Sequence, residues 1–276
     1  MKVICFSGNL GNQIFYCAFK DYLKRKYDMQ NVYYHVMKYC PPVMVTNYFE
    51  LELPKSNWFV DFLSTLVFYS EIALKKLFHQ KLSQKLLCGN GVITEESMFF
   101  SNYLQDKYYY EAMDSSWLKI KMPDHLSDDY LEFESLIKDH KSICVHIRRG
   151  DYVKKGSIYE DLSSTDYYDN AIKYALNIVP EAKIFFFSDD LEYVRSHFVY
   201  SNSYYVDCNR GDLSYLDIKL MSLCNINIMA NSTFSYWGSY INHEKKIVIY
   251  PQRWFKESSG RKSPNIMLQR ENWIGL

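Results

Sequence analysis

Residues 146–152 read His-Ile-Arg-Arg-Gly-Asp-Tyr and follow an apolar run, 143–147, with the length and composition of a buried strand. Alternation along that strand points His146 and Arg148 to one face. Two adjacent arginines at the carboxyl end of a strand are costly to place unless an anion or carboxylates receive them. Guanidinium matches phosphate bidentately and keeps its charge at any relevant pH. Asp151 suits a base, or a carboxylate that orients an arginine. An isolated Arg-Arg-x-Asp also suits a salt-bridged surface turn; the strand context and three further loops favour phosphate.

The first of these loops is Ala230-Asn231-Ser232-Thr233-Phe234-Ser235-Tyr236-Trp237-Gly238, between an apolar run at 226–229 and a helical pattern. Ser232 and Thr233 suit a helix cap, and the free N–H groups of a first helical turn form an anion site. A cap with no ligand accounts for the segment equally well on its own. The second loop is Gly8-Asn9-Leu10-Gly11-Asn12-Gln13 after the apolar run 2–6. Its glycines permit close backbone approach to a ligand, or simply a tight strand-to-helix turn. The dinucleotide fingerprint fails, because there is no third glycine and no acidic residue about 20 positions on. The third is Ser188-Asp189-Asp190 at the end of the run 183–187. Adjacent carboxylates invite a metal, but no Asp-x-Asp occurs and Asp190 also fits a helix N-cap. No metal site is therefore assigned. His79, His125, His140, His197 and His243 lack ligand-like spacing.

The elements that must position these loops alternate in type. Strands are expected at 2–6, 31–36, 143–147, 183–187, 203–206, 226–229 and 246–250. Helices are expected near 12–26, 58–87, 166–178, 190–197, 213–224 and 232–242. The pattern implies an α/β fold with parallel sheet covered on both faces. Ligands of such sheets sit beyond the carboxyl ends of the strands, where all four polar loops fall. Residues 40–125 are less regular, and Pro123 with the acidic stretch 124–129 suggests a boundary between two halves.

The 276 residues suffice for one large domain or two small ones, and a 48% hydrophobic, 17% aromatic composition excludes global disorder. Lysine plus arginine balances aspartate plus glutamate at 32 each, which argues against a nucleic-acid partner. Cys5, Cys17, Cys40, Cys88, Cys144, Cys208 and Cys224 are odd in number and lack Cys-x-x-Cys spacing. They read as small buried hydrophobes in a reducing compartment. The stretch 58–78 is interrupted by Asp61 and Glu71 and does not span a bilayer. Phe59, Phe62, Leu63, Leu66, Val67, Ser70, Ala73, Leu74 and Leu77 follow helical spacing there. Lys75, Lys76, Lys81 and Lys85 come next, so the helix either packs on a domain or lies on an anionic membrane surface. With no signal peptide read at the start, the expected location is the cytoplasm, peripheral to an inner membrane.

Together the four segments resemble glycosyltransferase family 11, the bacterial-type alpha-1,2-fucosyltransferases. Met221-Ser-Leu-Cys224 and Lys246-Ile-Val-Ile-Tyr-Pro251 fit as well. The resemblance implies a GT-B-like fold: two Rossmann-type halves whose parallel sheets face a central cleft. Residues 1–130 would form the acceptor side and 131–276 the half that binds the GDP-sugar donor. The implied activity is inverting transfer of L-fucose from GDP-fucose to the 2-hydroxyl of a terminal galactoside, with no cofactor and no metal. It further implies Arg148 as diphosphate contact with Arg149 as helper, and His146 and Asp217 as guanine or ribose neighbours. Asp189 would lie near the nucleotide, and Asn231, Ser232, Thr233 and Phe234 near the phosphates. Asn12 would sit at the cleft.

The family's usual Gly-Gly-Leu-Gly-Asn-Gln has Asn9 as its second residue here; asparagine tolerates a left-handed backbone, so the turn survives. Its His-containing loop is replaced by 157–164 before Tyr167-Tyr168, leaving acceptor choice open. Asp151 is the first candidate base, then Glu160 and Asp161, unless late proton loss needs none. The rivals are a fucosyltransferase of other linkage or acceptor and an idle nucleotide- or glycan-binding protein.

Overall fold

The computed structural model describes the chain apart from residues 37–39, 80, 84, 89–95, 112, 114, 155–156 and 264–271. It forms two compact units, Met1–Ala112 and Met113–Leu276. The division falls ahead of the boundary expected near 130. Residues after 112 belong with the second unit: Trp117 meets Trp237 edge-on at 5.7 Å, and the Tyr215 hydroxyl donates to the Lys121 carbonyl at 2.9 Å.

The first unit contains β1 (Lys2–Phe6), α1 (Leu10–Tyr27), β2 (Val32–Val36), α2 (Val45–Tyr48), α3 (Trp58–Phe78), β3 (Leu87–Cys88) and β4 (Phe99–Phe100). Its sheet runs in the order β2-β1-β4-β3, and every pair is parallel. After the wholly buried β1, Gly8 turns the chain at φ 75°, a conformation that a Cβ would strain. Asn9 is extended (φ −80°, ψ −179°), and its carbonyl accepts the Asn12 and Gln13 amides. The left-handed demand expected at Asn9 therefore falls on Gly8 alone, and the exchange of glycine for asparagine strains nothing.

α3 starts at a true cap, the Asn57 side chain accepting the Val60 amide at 2.9 Å, and stops where His79 turns left-handed at φ 54°. It is thus shorter than the expected 58–87. Val60, Leu63, Val67 and Phe68 pack over Val3, Leu87 and Phe99. Phe59, Phe62, Leu66 and Leu77, expected on the same apolar stripe, face outward instead. No helix among the described residues is long and apolar enough to cross a membrane.

The second unit begins with α4 (Asp128–Asp139), capped by the Ser127 hydroxyl and with Asp128 and Asp129 in its first turn. β5 (Ser142–Ile147), α5 (Tyr167–Ile178), β6 (Lys183–Ser188), α6 (Leu191–His197) and β7 (Ser203–Tyr205) follow. α7 (Leu216–Leu223), β8 (Ile226–Ile228), α8 (Thr233–Tyr240), β9 (Ile247–Tyr250) and β10 (Trp273–Gly275) complete it. The six strands run β10-β9-β8-β5-β6-β7, all parallel, so β10 extends the edge that β9 was expected to close. Odd-numbered Ile143, Val145 and Ile147 pack with α5 and with Ile184, Phe186, Ile226 and Ile228 in the main core. Each such side chain stabilises the fold by about 1.5–3 kcal/mol through burial alone. Cys5, Cys17, Cys144 and Cys224 are buried and free, with burial raising the thiol pKa of the first three; Cys40 and Cys208 are half-buried. The Cys88 side chain lies outside the described residues.

Candidate functional site

β5 lies between β8 and β6, so three carboxyl ends meet at the centre of the six-stranded sheet. His146, the last even-numbered residue of β5, turns away from the main core and sets its ring 5.8 Å from Phe234 in the first turn of α8. It is only 6% exposed, and its Nδ1 has no protein partner. Burial, which outweighs the attraction of Asp189, lowers its pKa to about 4, with Arg148 assisting. The imidazole is neutral at pH 7 and offers a hydrogen bond without charge.

Arg148 emerges next, its guanidinium held on two sides. Nε and Nη2 donate to Asp151 Oδ1 at 3.2 and 2.7 Å, and Nη1 reaches Asp189 Oδ2 at 3.1 Å. Tyr152 lies beneath, its ring centre 5.7 Å away. Burial opposes the charge, but Asp189 and then Asp151 outweigh it and hold the pKa above its ordinary value. Two of the five N–H donors of the guanidinium bond Asp151 while Nη1 is ion-paired with Asp189, so donors remain to meet a ligand.

Arg149 points elsewhere. Its Nε donates to Asp190 Oδ2 at 3.0 Å, Nη1 bonds the Ser163 hydroxyl, and the guanidinium lies 3.2 Å over the Tyr193 ring. Its backbone N–H donates to Asp189 Oδ1 at 2.9 Å. The adjacent arginines thus serve different ends: Arg148 lines the site, and Arg149 fastens the loop to α6. Asp189 and Asp190 also diverge, since Asp190 Oδ1 caps α6 by accepting the Tyr193 amide at 3.2 Å. Both carboxylates are occupied by guanidinium and N–H donors. No cluster of three His, Cys, Asp or Glu side chains suited to a metal occurs among the described residues.

Gly150 explains how Asp189 comes so close. A Cβ there would lie 2.3 Å from Asp189 Oδ2, so only glycine leaves that carboxylate room beside Arg148. On the other flank, both side-chain N–H donors of Asn231 are engaged, to the Glu160 and Trp254 carbonyls, each at 2.9 Å. Its own carbonyl accepts the Tyr152 hydroxyl at 3.0 Å. Asn231 is accordingly a clasp between loops, with no free polar atom on its side-chain nitrogen side for a phosphate. Ser232 is the N-cap residue of α8 but makes no side-chain capping bond, and Thr233 and Phe234 open the helix. Their first-turn amides are the anion-seeking groups of this end.

Asp217 stands half-buried in the first turn of α7, accepting from Asn209 Nδ2 at 2.8 Å. Burial raises its pKa to about 7, partly offset by Asn209 and Arg210. Asn12 belongs to the first unit; its Oδ1 accepts from Gln105 Nε2 at 2.8 Å and its side chain packs against Gly8. Of the candidate bases, Asp161 caps a short turn by accepting from Ser163, whereas Asp151 is half exposed on Arg148. Tyr152, Tyr193, Ser163 and Gly150 escaped assignment from the sequence. The first and last stand inside the 146–152 segment, but nothing local marks the other two.

A six-stranded all-parallel sheet with its polar groups gathered at the carboxyl ends, and a second parallel sheet in its own unit, are the two Rossmann-like halves of the GT-B fold. The solved structure of the glycosyl transferase family 9 protein from Veillonella parvula DSM 2008 is similar at TM-score 0.50 and 13% identity, covering 99% of this chain and 86% of that one. Residues 79–276 match glycosyl transferase family 11, and the chain belongs to that family. It is therefore a glycosyltransferase. It is 29% identical to the O-antigen biosynthesis glycosyltransferase WbnK of Escherichia coli, across 99% of both chains. It is 30% identical to an alpha-1,2-colitosyltransferase of Escherichia coli over 66% of this chain and 63% of that protein.

Proposed function

We propose that the protein transfers L-fucose from GDP-fucose, with inversion and without a metal, to the 2-hydroxyl of a terminal galactoside during assembly of a surface polysaccharide. The observation that carries this reading is the Arg148 guanidinium, seated between Asp151 and Asp189 at the carboxyl end of β5 with donors to spare. Transfer requires a stabilised departing diphosphate, an oxocarbenium-like sugar and an acceptor hydroxyl that loses its proton. Arg148 and the first-turn amides of α8 would meet the first requirement in place of a divalent cation. Neutral His146, with Nδ1 unpaired, suits a nucleotide hydroxyl or phosphate oxygen. Asp217, if ionised, would accept from guanine N–H groups.

Arg148 with Asp151 and Asp189 carries a net charge of −1, which repels a diphosphate. Asp151 is the more exposed of the two carboxylates and is the one free to swing away as the donor enters. Released from Arg148, it becomes available to take the acceptor proton. The same phosphate that binds the clamp would thus uncover the base.

The relative named as an alpha-1,2-colitosyltransferase supports a second donor, GDP-colitose, with the same linkage. The deciding assay measures GDP release from each donor in EDTA, with lactose as acceptor, for wild type and Arg148→Ala. Acceptor-dependent release that falls about 10²–10³-fold in the variant supports metal-free transfer and the arginine clamp. Absence of release from folded wild type across several galactosides and both donors would replace this reading with the idle binder.

A further inference from the structure

We infer that the outward face of α3 is a docking surface for an anionic lipid bilayer. The helix is anchored to its sheet on one side by Val60, Leu63, Val67 and Phe68, and His35 Nδ1 lies 2.9 Å from Asp61 Oδ1 at its first turn. The opposite side repeats at helical spacing as Trp58, Phe62, Leu66, Tyr69, Ile72 and Leu77, all exposed, Trp58 to 79% and Leu77 to 68%. Large apolar side chains scattered singly on a surface are ordinary; a continuous stripe along 21 residues, about 30 Å, is not.

The occupant follows from the charge at the carboxyl end of that stripe. Lys75 pairs with Glu71 at 2.7 Å and Lys85 with Glu96 at 3.2 Å. Glu71 is in turn folded inward, accepting the Leu82 amide. Lys76 and Lys81 have no carboxylate within 4.0 Å among the described residues, so the end of the stripe keeps positive charge on a chain whose overall charge is zero. Rings with one polar edge, Trp58 and Tyr69, on a helix that ends in lysines suit the level of phospholipid headgroups, with Phe62 and Leu66 entering the acyl boundary. A buried protein partner would have to desolvate Lys76; a phosphate-bearing surface receives it.

The test uses the full chain in a flotation assay. The vesicles are phosphatidylcholine alone, or phosphatidylcholine with phosphatidylglycerol. Wild type should float with the mixed vesicles and far less with neutral ones. The triple variant Phe62→Ser, Leu66→Ser, Tyr69→Ser should bind at least about tenfold more weakly while staying folded, with a single cooperative melt lowered only modestly because these side chains are about half exposed. Lys76→Glu with Lys81→Glu should abolish the preference for the anionic lipid while keeping the fold. Equal flotation of wild type and triple variant, or no flotation of wild type, overturns the inference. So does a wild-type dimer in sedimentation that the triple variant splits, since that would make a second copy the occupant.

Discussion

Replacing Asp151 by asparagine should tighten the grip on GDP while slowing transfer. In the free enzyme the Arg148 Nε and Nη2 edge is turned to Asp151 Oδ1 at 3.2 and 2.7 Å, so a diphosphate must first displace that carboxylate. The pair is well exposed, with side-chain exposures of 31% and 52%, so solvent screens it and its worth is about 1 kcal/mol. Asp151→Asn removes the attraction and takes the local charge from −1 to zero. GDP affinity should therefore rise about fivefold, the ratio that 1 kcal/mol yields. The carboxamide cannot accept the acceptor proton, so kcat should fall, by about 10²-fold if Asp151 is the base. Titration calorimetry with GDP reads the first effect, and single-turnover transfer reads the second. Unchanged or weaker GDP binding in Asp151→Asn would refute displacement, whatever happens to the rate. Tighter binding at full rate would leave Asp151 as an occluding group and move the base elsewhere.

Gly150→Ala should disable the clamp without altering a charge. Its Cβ falls 2.3 Å from Asp189 Oδ2, so Asp189 must leave both Arg148 Nη1 and the Arg149 amide. Stability should drop by only about 1 kcal/mol in urea denaturation, since that ion pair is part exposed, whereas transfer should fall about 10²-fold through misplacement of Arg148; near-native transfer would show that Asp189 positions nothing. Asp217→Asn should change how stability depends on pH. Asp217 titrates near 7 when folded and near 4 when unfolded, so the fold holds the extra proton in between. Its contribution is full below about pH 4 and is lost as pH rises through about 7. The variant should match wild type at pH 4 and exceed it at pH 8, on the order of 2–4 kcal/mol. Its amide oxygen can still accept from Asn209. Equal urea midpoints at pH 8 would show that Asp217 ionises without cost.

The second unit was legible because its strands are buried on both faces and therefore read as plain apolar runs, separated by helices with their own period. The tight turn after β1 and the Asp190 cap of α6 were legible for local reasons, whereas Ser232 makes no capping bond and the Asn57 and Ser127 caps went unread. β3 and β4 were not legible, since two residues make no pattern and only the pairing of β4 with β1 and of β3 with β4 defines them. α4 was hidden by its composition: Asp128 and Asp129 look like linker, yet they sit in a capped first turn where carboxylates are favoured. The parting of Arg148 and Arg149 was half legible. Alternation sends adjacent residues to opposite faces, but Ser163 and Tyr193 come to Arg149 from other elements. In α3 one periodicity concealed two apolar faces, and only packing showed which of them the protein itself covers.

The clasp made by Asn231 grips main chain. Glu160 and Trp254 are held through their carbonyls, and the segments are laced further by the Glu160 amide to the Trp254 carbonyl and the Lys256 amide to the Ile158 carbonyl. Tyr152 ties the near end of the same loop to the Asn231 carbonyl. The near end is therefore held by the Tyr152 side chain, whereas the far end, at Ile158 and Glu160, is held through main-chain groups that do not sense side-chain identity. Such an arrangement holds the strip 158–160 by its backbone and leaves the side chains of that strip free to vary. Substitutions within it can recast the surface beside Arg148 while the guanidinium and its two carboxylates stay in register.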